Sequence, residues 1–182
     1  MQNNLGVSYI LLLLGLLLGA SFFVVRQVLR TRRVEGSLSQ LESKLSRETG
    51  TAQEYYELGC IYNDKQLYSQ AIATFQKSLK ITDSQENPQN LAMVHNALGY
   101  AYFGREQYDV AIRQYKEALK LVPNYVTALN NLGYAYERKK LTAPALEAYE
   151  QSLQCEPDNG VAKRKVESLR KRIGIPDATP TE

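Results

Sequence analysis

The chain has 182 residues, which leaves room for one globular domain and a short additional segment but not for a second enzyme domain. Alanine, tyrosine and aliphatic residues are plentiful, tryptophan is absent, and proline and glycine are few, which favours an all-helical protein over a turn-rich β protein. The net charge is only +3, but basic stretches at 26–50 and 160–174 flank a mildly acidic segment, and the first of them follows an apolar run, so membrane contact is favoured over nucleic-acid binding.

The first predicted element is an apolar segment, Leu5 to Val25, without a charged residue. As a helix, about 21 residues extend roughly 31 Å, which matches a bilayer hydrocarbon core of about 30 Å. A cleaved signal peptide is not favoured, because the positive charges follow the apolar run instead of preceding it. Residues 1–33 are therefore predicted to be a transmembrane anchor with a basic juxtamembrane segment. By the positive-inside rule, four arginines place the rest of the chain on the cytoplasmic or stromal side: Arg26, Arg30, Arg32 and Arg33.

Residues 34–51 form the next predicted element, a linker helix. Val34, Leu38, Leu41 and Leu45 recur at spacings of four, three and four, which puts them along one stripe of a helix. The stripe is shorter than two heptads and would be marginal alone in water. We therefore expect a helix packed on the following domain and not a coiled coil.

Three aligned segments then repeat a pattern of Leu-Gly-x-x-Tyr, followed at a fixed distance by Ala-x-x-x-aromatic. From Gly99 to Gly133, and from Pro123 to Pro157, the offset is 34 residues. The pattern resembles the signature of tetratricopeptide repeats (TPRs), which form stacked helix hairpins. Its structural positions here are Leu58, Gly59, Tyr62, Ala71 and Phe75; Leu98, Gly99, Tyr102, Ala111, Tyr115 and Pro123; and Leu132, Gly133, Tyr136, Ala145, Tyr149 and Pro157.

The apolar stripes of the two helices in each repeat must face each other, so the predicted fold class is an all-α TPR solenoid of three helix-turn-helix repeats. The glycines are expected to lie against Ala71, Ala111 and Ala145 at close helix crossings. The repeats span 52–85, 92–125 and 126–159, an amphipathic capping helix spans 160–173, and residues 174–182 form a disordered tail.

The first repeat departs from the pattern. It has Asp83 where the others have the terminal proline, and six extra residues separate it from the second repeat. Asn87 followed by Pro88 is typical of a helix N-cap with proline at the first helical position. The first helix of repeat two is therefore predicted to begin at about residue 88.

The resemblance implies that the first helix of each repeat lines a concave protein-binding groove. Asparagine can hydrogen-bond a peptide backbone, and tyrosine offers apolar area with a polar tip. The expected groove residues are Tyr56, Asn63, Asn96, Tyr100, Phe103, Asn130, Asn131, Tyr134 and Glu137, with Cys60 beside them. Each of these could instead pack between repeats. TPR domains that grip chaperone C-terminal carboxylates use cations at defined groove positions, whereas those positions here hold Tyr56, Cys60, Ala97, Thr127 and Asn131, so a chaperone carboxylate clamp is not expected.

No catalytic or cofactor-binding pattern is evident. His95 takes a position usually held by a core aromatic residue, so packing is favoured over a role as catalytic base. Cys60 and Cys155 lack a metal-binding spacing and are expected to pack as small apolar residues. The sequence therefore predicts no enzyme activity, no cofactor, no metal and no small-molecule substrate.

An apolar N-terminal span, a basic turn, a short linker helix and three TPRs together resemble the small thylakoid TPR proteins of cyanobacteria and algal plastids that assist photosystem I assembly. The resemblance implies a thylakoid-anchored, non-enzymatic assembly or stabilisation factor that holds a photosystem I subunit or assembly intermediate. An alternative is a membrane-anchored TPR receptor for protein targeting or import, which would bind many precursors.

Overall fold

The computed structural model describes residues 3–82 and 87–174, except for the side chains at 3–6, 30 and 33. Within these ranges the secondary structure consists of helices. They are α1 (Asn3–Arg47), α2 (Ala52–Asp64), α3 (Tyr68–Ile81), α4 (Pro88–Gly104), α5 (Tyr108–Leu121), α6 (Val126–Arg138), α7 (Thr142–Cys155) and α8 (Gly160–Ile173). The chain divides into two compact units, residues 1–49 and residues 50–182.

The first unit is α1, which is continuous across the predicted boundary between anchor and linker at residues 33 and 34. By length and composition α1 is long and apolar enough to cross a membrane. Its large apolar side chains from Val7 to Leu29 are exposed, with exposed fractions between 47% and 71%. Neither the packing of residues 34–51 on the repeats nor the topology assigned to the arginines is tested by this geometry, and both stay predictions.

The second unit consists of three helix hairpins, α2–α3, α4–α5 and α6–α7, followed by α8, which packs on α7. This arrangement confirms the predicted solenoid of three repeats with a capping helix. Pro123 and Pro157 follow the ends of α5 and α7, as expected for a residue that cannot continue the helical hydrogen-bond ladder. Asp83 and residues 175–182 of the predicted tail lie outside the described residues.

The helix starts follow local capping chemistry. Thr51 and Glu54 form a reciprocal capping box at the start of α2. Asn87 accepts a hydrogen bond from the backbone N–H of Asn90, with Pro88 at the first position of α4, which confirms the predicted start of this helix. Asn159 caps α8 by accepting from the backbone N–H groups of Val161 and Ala162.

The turn inside each hairpin has the same geometry in all three repeats. Gln66, Glu106 and Lys140 occupy equivalent positions with φ near 60°, a left-handed conformation that is uncommon outside glycine. The following residue donates its backbone N–H to a tyrosine carbonyl of the repeat signature, as Leu67 does to Tyr62 at 2.8 Å. The three hairpins therefore close in the same way although their turn residues differ.

The closest approach inside each hairpin is between a glycine of the first helix and an aromatic ring of the second. A Cβ atom added at Gly59, Gly99 or Gly133 would lie 2.5, 2.6 or 2.8 Å from a ring atom of Phe75, Tyr115 or Tyr149, respectively. The nearest atoms to these glycines are therefore ring atoms, and the expected contact with the alanines stays a prediction. The alanines are fully buried, but it is the large rings that need the space left by the missing side chains.

Buried apolar residues join the hairpins into one solenoid. One cluster links α3 to α4 through Phe75, Val94 and Leu98. A second links α5 to α6 and α7, and a third links α7 to α8 through Tyr149, Val166 and Leu169. Two fully buried serines take part: Ser78 donates to the carbonyl of Ala52 at 2.8 Å, and Ser152 accepts from Asn159 at 3.4 Å.

The contact between Gly99 and Tyr115 gives a first prediction. Alanine at residue 99 would add helix propensity of up to about 1 kcal/mol, but its methyl group overlaps a ring that is 1% exposed and has little room to move. We expect Gly99→Ala to lower the free energy of unfolding of residues 50–182 by about 1–2 kcal/mol in urea titrations.

Gly160→Ala is the matched control, because nothing lies within 4 Å of a Cβ at this position in the first turn of α8. This substitution should leave stability unchanged or raise it by up to about 1 kcal/mol. Equal effects of the two substitutions would contradict the proposed packing role of Gly99.

Candidate protein-binding groove

The first helices of the hairpins, α2, α4 and α6, lie side by side, with contacts from α2 to α4 and from α4 to α6. The nine predicted groove residues are distributed along these three helices. Six of them contribute to two regions of different chemistry. We call them the polar network, formed by Tyr56, Cys60, Asn96, Tyr125 and Asn131, and the aromatic surface, formed by Tyr100, Phe103, Tyr108 and Tyr134.

The polar network is held by hydrogen bonds between side chains of successive repeats. Asn131 Nδ2 donates to Asn96 Oδ1 at 2.9 Å, and Asn96 Nδ2 donates to the Tyr125 hydroxyl at 3.5 Å. Burial raises the pKa of the Tyr56 phenol, which is hydrogen-bonded to Cys60, and it also raises the pKa of the Cys60 thiol. These groups are therefore neutral at physiological pH, and the thiol is a poor nucleophile.

Two of the predicted groove asparagines, Asn63 and Asn130, have buried atoms in their side-chain amides. Asn63 is 8% exposed and donates from Nδ2 to the backbone carbonyl of Ala97 in the next repeat at 3.1 Å. Asn63 thus links two repeats, because one N–H of its side-chain amide is bound by the backbone carbonyl of Ala97. Asn130 is half-buried, and its Oδ1 atom is buried without a hydrogen-bond partner.

The aromatic surface joins the second and third repeats. Phe103 stacks on Tyr134 with ring centroids 5.0 Å apart, and Tyr108 meets Phe103 edge-on at 5.2 Å. Tyr100 and Tyr134 are 47% and 43% exposed. Tyr68 lies edge-on against Tyr100 at 6.5 Å. The rings are therefore partly exposed, and contacts with neighbouring rings orient them.

Charged groups border the aromatic surface. The Arg138 guanidinium lies 5.0 Å from the ring centre of Tyr108, and the Lys165 ammonium lies 5.1 Å from that of Tyr134. Glu137 pairs with Lys165 at 2.8 Å and accepts a hydrogen bond from the Tyr149 hydroxyl at 2.7 Å. Glu137 is therefore engaged inside the domain and is less available to a partner than predicted.

Several residues of the site were not identified from sequence. Tyr68 and Tyr108 occupy equivalent positions at the start of the second helix in repeats one and two, so the repeat alignment contained a signal for them. Arg138 follows Glu137 directly. Lys165 comes from α8, outside the repeats, and no pattern within a repeat could indicate that it reaches Tyr134.

Two cavities open at the other end of the first helices, one on each side of Met93. The smaller, about 240 Å³, is lined by Tyr56, Ser78 and Val94, among others. The larger, about 420 Å³, is lined by Ala92, Tyr125 and Val126, among others. Met93 borders both cavities and is 39% exposed. It lies in the second turn of α4, close to the start that the six extra residues precede.

His95 and the two cysteines each lie in a different environment. His95 Nδ1 lies 2.8 Å from Gln114 Oε1, in a half-buried pair between α4 and α5. Cys60 is half-buried, as expected for packing, whereas Cys155 is exposed at the end of α7, so that part of the packing expectation is wrong. Among the described residues no three His, Cys, Asp or Glu side chains are grouped so as to hold a metal ion.

Two family models match the repeats of this chain. A model described as tetratricopeptide repeat matches residues 52–85 and 126–159, which are the predicted bounds of repeats one and three. A second model, described as TPR repeat, matches residues 99–140.

Curated relatives extend the similarity beyond the repeats. The chain is 39% identical over 174 residues to the chloroplastic tetratricopeptide repeat domain-containing protein PYG7 of Arabidopsis thaliana; the match covers 96% of this chain and 57% of that protein. It is 33% identical to the uncharacterized protein ycf37 of Cyanophora paradoxa, with 95% and 99% of the two chains covered. The ycf37 protein of Guillardia theta is 32% identical over 60% of this chain and 61% of its own. The chain thus spans little more than half of the Arabidopsis relative.

Solved structures share the fold at lower identity. MamA superposes with a TM-score of 0.71 at 23% identity, covering 80% of this chain and 82% of that one. The first TPR domain of Spaghetti (RPAP3), solved with an HSP90 peptide, superposes with a TM-score of 0.62 at 21% identity, covering 70% and 96%. At these identities the likeness establishes the fold alone.

The phenol of Tyr149, which donates to the predicted groove residue Glu137, makes the stability of the domain depend on pH in the alkaline range. Burial first, and the hydrogen bond to the Glu137 carboxylate second, raise the pKa of the Tyr149 phenol above its ordinary value of about 10. Above about pH 10 the unfolded chain loses this proton before the folded chain does, so stability falls as pH rises, by up to about 1.4 kcal/mol per pH unit for each such tyrosine.

We expect Tyr149→Phe to reduce the slope of this loss in urea titrations of residues 50–182 between neutral and strongly alkaline pH. Some slope should remain, because burial also raises the pKa of Tyr56 and Tyr115. Tyr68→Phe is a suitable control, since Tyr68 is less buried and takes no part in the Glu137 contact. An unchanged slope in Tyr149→Phe would contradict the assignment.

Proposed function

Because the chain belongs to the tetratricopeptide-repeat family, and within it to the group of the ycf37 proteins, we propose that it is a membrane-tethered scaffold for the assembly or stabilisation of photosystem I. In this proposal α1 holds the chain in the thylakoid membrane, and the repeats face the cytoplasm or stroma. The groove binds a photosystem I subunit or assembly intermediate, and the chain itself performs no chemistry.

The observation that carries the binding role is the exposed aromatic surface. TPR domains bind protein partners, and aromatic and arginine side chains dominate the binding energy of most protein interfaces. Here Tyr100 and Tyr134 are 47% and 43% exposed, and they are held in place before any partner arrives, Tyr134 by stacking on Phe103 and Tyr100 by the edge-on contact with Tyr68. A surface ordered in advance loses little side-chain entropy on binding.

The geometry of α1 supports the tether. A helix whose large apolar side chains from Val7 to Leu29 are all about half exposed or more is unfavourable in water and favourable in lipid. A tether confines the groove to the membrane surface and raises the effective concentration of partners that assemble there.

The relatives support a plastid setting. The Arabidopsis relative is named as chloroplastic, and ycf37 relatives occur in Cyanophora, Guillardia, Porphyra and Pyropia. The arrangement of anchor, basic turn and repeats resembles that of the thylakoid TPR proteins that assist photosystem I assembly. The groove positions that a chaperone carboxylate clamp would need hold no cation, so we propose a different mode of recognition.

A pull-down from photosynthetic membranes in mild detergent tests the partner. We expect a defined set of photosystem I subunits to copurify with the full chain. Truncating both exposed rings in Tyr100→Ala/Tyr134→Ala should reduce recovery by about tenfold or more, as expected for two central aromatic contacts. Lys80→Ala/Arg113→Ala, which changes exposed residues on α3 and α5, should leave recovery unchanged.

Two outcomes would contradict the proposal. Undiminished recovery by the tyrosine variant would contradict the role of the aromatic surface. Copurification of diverse precursors or of chaperones would instead support a receptor for protein targeting or import.

A chain without residues 1–33 tests the tether. We expect it to fold, to bind its partner weakly in solution, and to fail to support photosystem I accumulation in cells that lack the native protein. An unrelated single-span anchor in place of residues 1–33 should restore accumulation, because the role of the anchor is confinement. Full activity of the untethered chain would show that tethering is unnecessary.

A further inference from the structure

The capping helix α8 has a buried face that fixes which of its side chains point outward. Ala162, Val166 and Leu169 are buried against the last hairpin, where they join the cluster around Tyr149. The buried positions recur at spacings of four and three, so the residues between them form a continuous outer face.

Two of the six cations in residues 160–174 are bound to the repeats. Lys165 pairs with Glu137 at 2.8 Å, and Arg170 donates to one oxygen of Glu150 from both Nε, at 3.2 Å, and Nη2, at 2.6 Å. Carboxylates of the repeats therefore engage both cations, and the two pairs hold α8 in its orientation on the domain.

The outer face of α8 carries the other cations. Within residues 3–82 and 87–174, the carboxylate that pairs with Lys163 is that of Asp158, at 3.2 Å, and it is fully exposed. Arg164, Lys171 and Arg172 are exposed, and in the described part of the chain none of them has a carboxylate within 4.0 Å. One acidic residue, Glu167, shares this face.

A capping helix needs a polar outer face but not a face of a single sign. The bias here is local, because residues 51–159 hold 10 basic and 13 acidic residues, whereas residues 160–174 hold 6 and 1. Val161, 49% exposed, adds an apolar side chain to the exposed surface at the start of the helix. Exposed cations that are not held by carboxylates of the repeats, beside an exposed apolar group, are typical of surfaces that bind anionic lipid headgroups.

We propose that the outer face of α8 binds the anionic headgroups of the membrane in which the chain is tethered. This inference rests on the anchoring part of the proposed function, because the tether keeps headgroups at high local concentration. It adds a second membrane contact, made by charge, at the opposite end of the sequence from the anchor. Together the two contacts restrict the directions in which the groove can face.

The exposed Cys155, five residues before α8 begins at Gly160, provides a reporter in the full-length chain. A donor fluorophore on Cys155 in a Cys60→Ser background, with acceptor-labelled headgroups, measures how close this end lies to the bilayer. The chain is reconstituted in vesicles of pure phosphatidylcholine and in vesicles with one-third phosphatidylglycerol. We expect about a twofold rise in energy transfer in the anionic vesicles, and loss of the rise in half-molar sodium chloride because salt screens exposed charges.

Arg164→Gln/Lys171→Gln/Arg172→Gln should abolish the rise. Lys80→Gln/Arg113→Gln/Lys140→Gln removes the same charge from exposed sites elsewhere and should keep the full rise. Circular dichroism of each variant establishes that the helices are intact. Equal transfer in both kinds of vesicle for the unmodified chain, or a full rise in the α8 variant, would overturn the proposal.

Flotation with the neutral vesicles separates this inference from the anchor. A chain that does not float with phosphatidylcholine lacks the tether, whatever α8 does, whereas a chain that floats but shows no rise lacks only the α8 contact. If the α8 variant keeps the rise but loses its protein partner, the face is a protein-docking surface and the lipid proposal is wrong.

Discussion

The packing of an aromatic ring into the space left by a glycine is the interaction on which the rest of this domain depends. In each hairpin the second helix buries a Phe or Tyr, and the first helix has no side chain where that ring lies. The two helices can therefore approach closely while burying a large apolar group. Since this contact sets the spacing inside every hairpin, it also sets where the next hairpin can pack, and it places Tyr100 and Tyr134 in equivalent positions on neighbouring helices.

Much of the fold could be read from the sequence because the repeat pattern and the capping residues agree with each other. The start of α4 follows from Asn87 and Pro88, and the ends of α5 and α7 follow from Pro123 and Pro157. These are local effects, so a local pattern indicates them. The contact of each glycine with an aromatic ring could not be predicted in this way, because the repeat signature gives the order of small and large residues but not the rotation of one helix against the other.

The groove was less predictable, since its residues owe their environment to other repeats. Asn63 resembles a groove donor by position, yet one of its two side-chain amide hydrogens is donated to the carbonyl of Ala97 in the next repeat. Glu137 is neutralised by Lys165, which comes from a helix outside the repeats. Contacts between segments that are distant in the sequence have no signature within either segment. The richness of these helices in tyrosine and amide groups follows from the sequence itself, and their role as a binding groove stays a prediction.

The start of α4 affects the direction in which an extended ligand can bind along the groove. A solenoid of identical repeats presents the same surface at every step, so an extended peptide could bind equally well after shifting by one repeat. Here the start of α4 brings Met93 between two cavities of unequal volume. The two cavities therefore make the repeats inequivalent along the solenoid. A ligand with one large and one small apolar group would fit them in one register only, so its chain direction along the groove would be defined.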